Sequence, residues 1–213
     1  MSTYEGVIFD LDGVICSTDR YHYLAWKRVA DRLGISLDER INVRLRGLSR
    51  MDSLNIILEG YEGSLTQAQK EALAEEKNAL YRASLADMSP DDLPRDVRRT
   101  LDALRAAGLR LAIGSSSRNT RFILERLGLA DFFDAVSDGT NITRSKPDPQ
   151  VFLMAADFLG LPPARCLVVE DAQSGIAAAK AGGFDSAGVG DAASFATYPM
   201  ERVSDLIAIC GAK

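Results

Sequence analysis

From residue 90 onward, short apolar runs alternate with helical stretches, and this alternation most limits the folds open to the 213-residue chain. After Ser89-Pro90-Asp91-Asp92 a helix is expected over 96–107, stopped by Gly108, then a strand over 109–114. A helix over 119–127, stopped by Gly128, precedes a short strand at 135–137. A polar loop leads to a helix near 149–159, a strand over 166–170, a helix over 175–181 and a last clear strand over 186–189. Buried strands joined through helices form a parallel sheet covered on both faces.

Gly6-Val7-Ile8-Phe9 is one more buried strand, but no alternation follows it directly. Thr18-Asp19 can cap a helix whose apolar positions are Tyr21, Ala25, Val29 and Leu33, with Gly34 as its stop. The stretch 36–88 reads as all-helical. Ser49 with Asp52 resembles a capping box, and Thr66 with Gln69 fits one directly, opening a long Ala/Glu/Lys-rich helix that ends near Met88. The expected fold is a doubly wound, Rossmann-like α/β core built from residues 1–17 and 90–213. A helical cap domain, residues 18–89, is inserted after the first strand, with hinges near 16–18 and 89–93.

Composition narrows the function. Hydrophobic residues at 46% and charged residues at 26% suit a globular chain with a sizeable core. A net charge of −5 argues against nucleic acid as the main partner. No apolar stretch approaches the roughly 20 residues that span a bilayer, and no basic, then apolar leader opens the chain, so a cytoplasmic protein without membrane partners is expected. Cys16, Cys166 and Cys210 lack paired or metal-like spacing and read as small buried residues in a reducing compartment. A monomer is expected, since no additional interaction segment is evident.

In open parallel sheets, ligands bind beyond the carboxyl ends of the strands. Four polar clusters fall there: Asp10 and Asp12 after the first strand, Ser115-Ser116-Ser117-Arg118-Asn119 after the 109–114 strand, Lys146-Pro147 after the 135–137 strand, and Glu170-Asp171 at the end of the 166–170 strand. Adjacent carboxylates raise each other's pKa and repel, which makes sense around a cation or where one attacks and the other handles a proton. Asp10, Asp12, Glu170 and Asp171 are hard oxygen donors of the type that suits Mg²⁺. The serine run can cradle a phosphate oxygen through backbone N–H groups and hydroxyls, and Lys146 adds positive charge. Together they describe phosphoryl transfer, with Asp10 attacking phosphorus and Asp12 shuttling a proton. A serine run, a Lys-Pro turn or a Glu-Asp helix start is commonplace alone; the information lies in their joint order, each after a strand.

These segments resemble the four motifs of the haloacid-dehalogenase-like phosphotransferase superfamily, in order and spacing, over nearly the whole chain. The resemblance makes Asp10 the nucleophile, Asp12 the acid/base, Ser115 and Lys146 the phosphate holders, and Glu170 with Asp171 the acidic Mg²⁺ motif. Dehalogenases of that superfamily lack the second aspartate, so Asp12 argues for a phosphatase or mutase. Tyr21-His22, Ala25-Trp26-Lys27, Leu45-Arg46-Gly47-Leu48-Ser49-Arg50 and Lys77-Asn78 are similar to the β-phosphoglucomutase family, as is Glu170-Asp171-Ala172-Gln173-Ser174-Gly175-Ile176. That family interconverts β-glucose 1-phosphate and glucose 6-phosphate through glucose 1,6-bisphosphate. Besides the serine run and Lys146, the resemblance implies substrate contacts at His22, Trp26, Arg46, Gly47, Leu48, Ser49, Arg50 and Lys77. Arg46 and Arg118 depart from the lysines usual there, and the two cations are not interchangeable at a phosphate.

A mutase must hold two phosphates at once, and Arg50 with Ser117, Arg118 and Asn119 can supply the distal site. A Mg²⁺-dependent sugar-phosphate phosphatase would use the same Asp10 and Asp12 but needs no distal clamp, so 46–50 favours the mutase. A non-catalytic phospho-acceptor domain also pairs aspartates, a Ser/Thr and a Lys on a parallel sheet; the insert and the neighbouring Asp12 argue against it.

Overall fold

The computed structural model describes residues 4–45 and 47–212, so the expectation at Arg46 lies outside the described residues. β1 (Gly6–Phe9), β2 (Arg110–Gly114), β3 (Ala135–Ser137), β4 (Cys166–Glu170), β5 (Asp185–Gly188) and β6 (Tyr198–Pro199) form one sheet, parallel throughout, in the order β3-β2-β1-β4-β5-β6. The first four lie where the apolar runs put them. β5 starts and ends one residue before the expected 186–189. β6 was not expected: two residues paired to β5 are too few to show as an apolar run.

Successive strand residues face opposite sides of the sheet. Val7, Phe9, Leu111, Ile113, Leu167 and Val169 pack with α5 (Arg95–Ala106), α6 (Thr120–Arg126) and α9 (Leu206–Ile209). Ile8, Ala112 and Val168 pack with α7 (Gln150–Leu159) and α8 (Gln173–Ala181). This is the doubly wound arrangement, and each fully buried aliphatic side chain contributes about 1.5–3 kcal/mol to it. Gly108 and Gly128 end α5 and α6 at φ +84° and +70°, where a side chain would be strained.

The insert comprises α1 (Asp19–Arg32), α2 (Glu39–Arg44), α3 (Arg50–Ile57) and α4 (Gln67–Leu85). Trp26, Val29, Leu54, Ile57 and Leu73 form its own apolar cluster, while Ala25, Tyr81 and Leu85 join the sheet-side core. The Thr66–Gln69 capping box is formed in full. Ser49 accepts from the Asp52 amide at 3.2 Å, but the Asp52 carboxylate returns to the Ser49 hydroxyl at 2.6 Å instead of the cap amide. The reciprocal half of the box is missing because the Asp52 carboxylate is held by the hydroxyls of Ser49 and Ser145. The cap expected at Thr18 is corrected too: α1 starts after it without a side-chain cap, since Thr18, at φ −113° and ψ 2°, lacks the extended backbone that aims a capping oxygen at the first turn, and its hydroxyl donates to Asp12.

All three cysteines are free and buried. Among the described residues no helix is long and apolar enough to cross a membrane. The chain runs from β1 to β2 and β3 on one side and reaches β4 to β6 on the other. This reversal opens a crevice at the carboxyl ends of β1, β2 and β4.

Candidate active site

Asp10 directly follows β1, and its amide bonds the Val169 carbonyl at 2.9 Å, which sets it beside the end of β4. Lys146 enters from the loop after β3, fully buried, with Nζ 2.5 Å from Asp10 Oδ1 and also bonded to Glu170 Oε1. Glu170 Oε2 accepts from the amides of Asp171 at 3.1 Å and Ala172 at 3.0 Å. Two glycines make room for these carboxylates. A Cβ on Gly175 would lie 1.9 Å from Glu170 Oε1, and one on Gly13, at φ +85°, would lie 2.0 Å from Asp171 Oδ2.

Oxygens of Asp10, Glu170 and Asp171 lie within 4.8 Å of one another. Burial, with the repulsion of Glu170 behind it, pushes Asp171 up to about 7. Burial likewise raises Asp10, only partly opposed by Lys146. One ammonium against three close carboxylates leaves a deficit of positive charge, and an all-oxygen donor set is what a hard divalent cation requires. The residues present therefore fit a metal ion of the Mg²⁺ type. The fourth expected donor, Asp12, is outside that group: its carboxylate accepts from Thr18 and lies 3.9 Å from His22 Nε2.

The serine run turns from β2 into α6. The Ser115 amide is held by the Ser137 carbonyl at 3.1 Å; Ser115 Oγ accepts the Ser117 amide at 3.2 Å, and Ser117 Oγ accepts the Asn119 amide at 3.1 Å. Both hydroxyls keep their protons to offer elsewhere. Ser116 Oγ is buried without a protein partner among the described residues. Arg118 Nε donates to the Gly139 carbonyl at 3.2 Å. The Asn119 amide is committed across the cleft, donating to Asn78 at 2.9 Å and accepting from Arg82 at 3.2 Å, so it ties α4 to the serine loop.

Above Asp12 lies a buried group from the insert. Lys77 Nζ is 2.7 Å from His22 Nδ1 and sits over the rings of Trp26 and Tyr81, 5.1 and 4.4 Å from their centroids. Burial and then Arg50 pull Lys77 down to about 7. Burial and then Lys77 hold His22 well below its ordinary range, so the imidazole is neutral. Lys77 faces Nδ1, and Nε2 is the ring nitrogen 3.9 Å from Asp12. Burial pushes Asp12 up to about 6, against the Thr18 hydroxyl, which favours its charged form.

Gly47, at φ +73°, brings its loop so close to the start of α8 that a Cβ would meet Ser174 Oγ at 2.6 Å. Ser145 donates to Asp52 at 2.5 Å, a further bond between insert and core. Between them is a cavity of about 960 Å³. Asp10, Asp12, Asp171 and the serine loop line it from the sheet; His22, Trp26, Lys77 and the run Gly47-Leu48-Ser49-Arg50 line it from the insert. Lys146 and Glu170 lie beneath, bonded as described. Sequence reasoning missed Thr18, Asp52, Ser145 and Glu75 at this site. Thr18 and Asp52 have competing explanations as helix-cap residues, Ser145 reads only as the neighbour of Lys146-Pro147, and Glu75 carries no signal beyond a charged residue in a long helix.

A family model for haloacid dehalogenase-like hydrolases matches residues 4–183. The chain is 41% identical to a β-phosphoglucomutase of Bacillus subtilis over 95% of this chain and 91% of that protein. It is 35% identical to a fructose-1-phosphate phosphatase of Escherichia coli over 87% of this chain and 96% of that protein. Its fold superposes on the crystal structure of a β-phosphoglucomutase from Clostridium difficile with a TM-score of 0.91 at 35% identity, covering 95% of this chain and 93% of that one. The chain belongs to the haloacid dehalogenase-like hydrolase family and, within it, to the β-phosphoglucomutase family.

Proposed function

We propose that this protein is a Mg²⁺-dependent β-phosphoglucomutase, which interconverts β-D-glucose 1-phosphate and glucose 6-phosphate through an aspartyl-phosphate on Asp10 and a glucose 1,6-bisphosphate intermediate. Residues 18–89 act as a cap over a core of residues 1–17 and 90–213, and the site is complete within one chain. The supporting observation is that one cavity carries cations beyond the Lys146 bonded to Asp10: Arg50 and Arg118 both line it and lie close enough to interact. A phosphatase needs only Lys146.

In this reading phosphorylated Asp10 gives its phosphoryl group to a sugar hydroxyl while Asp12 takes the hydroxyl proton. The bisphosphate turns end for end, Asp10 attacks the other phosphorus, and Asp12 returns the proton to the leaving oxygen. Lys146, Ser115 and the Ser116 region hold the transferring group. Asp10, Glu170 and Asp171, with Asp12 adjoining, would hold Mg²⁺, which when bound neutralises charge on the phosphoryl oxygens. Closure of the cap over the cavity would exclude water from the acyl-phosphate. A coupled assay on β-glucose 1-phosphate with catalytic glucose 1,6-bisphosphate should give glucose 6-phosphate with little free phosphate. Free phosphate as the main product would move the chain to the second reading, a sugar-phosphate phosphatase, which similarity to the fructose-1-phosphate phosphatase supports.

Thr18 tunes the proton step. Its hydroxyl stabilises ionised Asp12, so Thr18→Val raises the Asp12 pKa further above about 6. The acidic limb of kcat/KM against pH, where the base form of Asp12 is lost, should move to higher pH. An unmoved limb, or one moved to lower pH, contradicts the assignment of Asp12 as the base.

A further inference from the structure

The distal arginine is not free in this structure. Arg50, at the start of α3, keeps only 15% of its side chain exposed, and its Nη1 lies 2.5 Å from Glu75 Oε1 of α4. Glu75 lines the same cavity, in a stripe with Gln67 and Glu71 that repeats every four residues along α4. Its own side chain is 70% exposed, so it reaches Arg50 from the wet side of the cavity mouth and can swing away at little cost. Burial disfavours the charge of Arg50 most, and Arg118 adds to this, while Glu75 offsets part of both. A carboxylate here gives Arg50 the counter-charge that a distal phosphate would give.

We propose that Glu75 is a positioning residue that acts through Arg50 as an exchangeable counter-ion: it holds the arginine in the cavity wall and is displaced when the distal phosphate binds. This rests on the mutase reading of Arg50 and deepens it. The exchange holds the clamp in place between substrates. It also weakens the grip on the bisphosphate, which has to let go at the distal end in order to turn. No residue in the transfer chemistry needs to change for the effect to appear.

The test uses the full chain and glucose 1,6-bisphosphate. Equilibrium binding is measured in an Asp10→Asn background, where no transfer occurs, and steady-state kinetics in the otherwise unaltered enzyme. Glu75→Gln keeps a good helix former on an exposed position, so the fold should be retained. It should tighten bisphosphate binding roughly threefold to tenfold, the size of a partly screened charge effect, and lower KM for the bisphosphate without raising kcat. Tighter binding is not what mere loss of structure gives. In an Arg50→Ala background the gain should vanish. Unchanged or weaker binding in Glu75→Gln, or a gain that persists without Arg50, overturns the proposal. If Arg50→Ala alone leaves bisphosphate binding unchanged, the clamp reading itself fails; if it weakens binding while Glu75→Gln does not tighten it, only the exchange fails.

Discussion

Asp10→Asn should abolish turnover, by about four orders of magnitude or more, while leaving the fold intact. The carboxylate sits at the switch point of the sheet, 5% exposed, with its amide fixed to β4. Asparagine has the same shape: its carbonyl oxygen can keep the bond to Lys146, and its amide can donate toward Asp171. What it loses is the anionic oxygen that forms an acyl-phosphate. Since burial already disfavours ionised Asp10, removing that charge should not lower the unfolding midpoint. Initial rates of glucose 6-phosphate formation, acid-quench trapping of phosphorylated protein and thermal unfolding check the three parts together. A variant that keeps a few per cent of the rate, or still traps phosphate covalently, would remove Asp10 as the nucleophile.

The sheet and the acidic end of the site were legible because each rests on a local rule. Buried strands are short apolar runs, and a doubly wound sheet exposes its polar residues where those runs end. Asp10, the serine run and Glu170-Asp171 therefore stand out where strands end, and Lys146, nine residues past β3, stands out only through the joint order of the four clusters. The insert was legible as helices from its own pattern, but as a wall of the cavity only through the resemblance, at His22, Trp26, 47–50 and Lys77. Glu75, Asp52 and Ser145 matter through contacts 25 and 93 residues apart in sequence, which no periodicity reports. Thr18 shows how a local signal can miss the role of a residue. Its type suits a helix cap, but its backbone is not in the extended cap conformation and its hydroxyl donates to Asp12. Asn119 shows the opposite case: the residue was found, but its amide is committed to Asn78 and Arg82 across the cleft. β6 escaped notice for a simpler reason, being too short to carry a pattern.

Lys146→Met should be the most damaging single change to stability at this site as well as to catalysis. Methionine fills the same volume against Phe152, whose ring centroid lies 4.7 Å from Lys146 Nζ, so no large cavity results. The loss is electrostatic. Burial disfavours the ammonium, yet Asp10 and Glu170 outweigh it and hold the lysine charged, which measures how strongly the three groups depend on one another. Without it Asp10 and Glu170 face each other with Asp171 nearby and no internal cation. Removing one partner of a buried pair costs about 3–5 kcal/mol, which for a chain of this size lowers the unfolding midpoint by roughly 6–20 °C. Thermal unfolding in buffer without divalent cations measures this. Glu170→Gln added to Lys146→Met removes one of the stranded charges, so the double variant should regain part of the lost stability although neither variant turns over substrate. A double variant less stable than Lys146→Met would mean that the lysine serves by packing, and that the charge balance drawn around Asp10 is wrong.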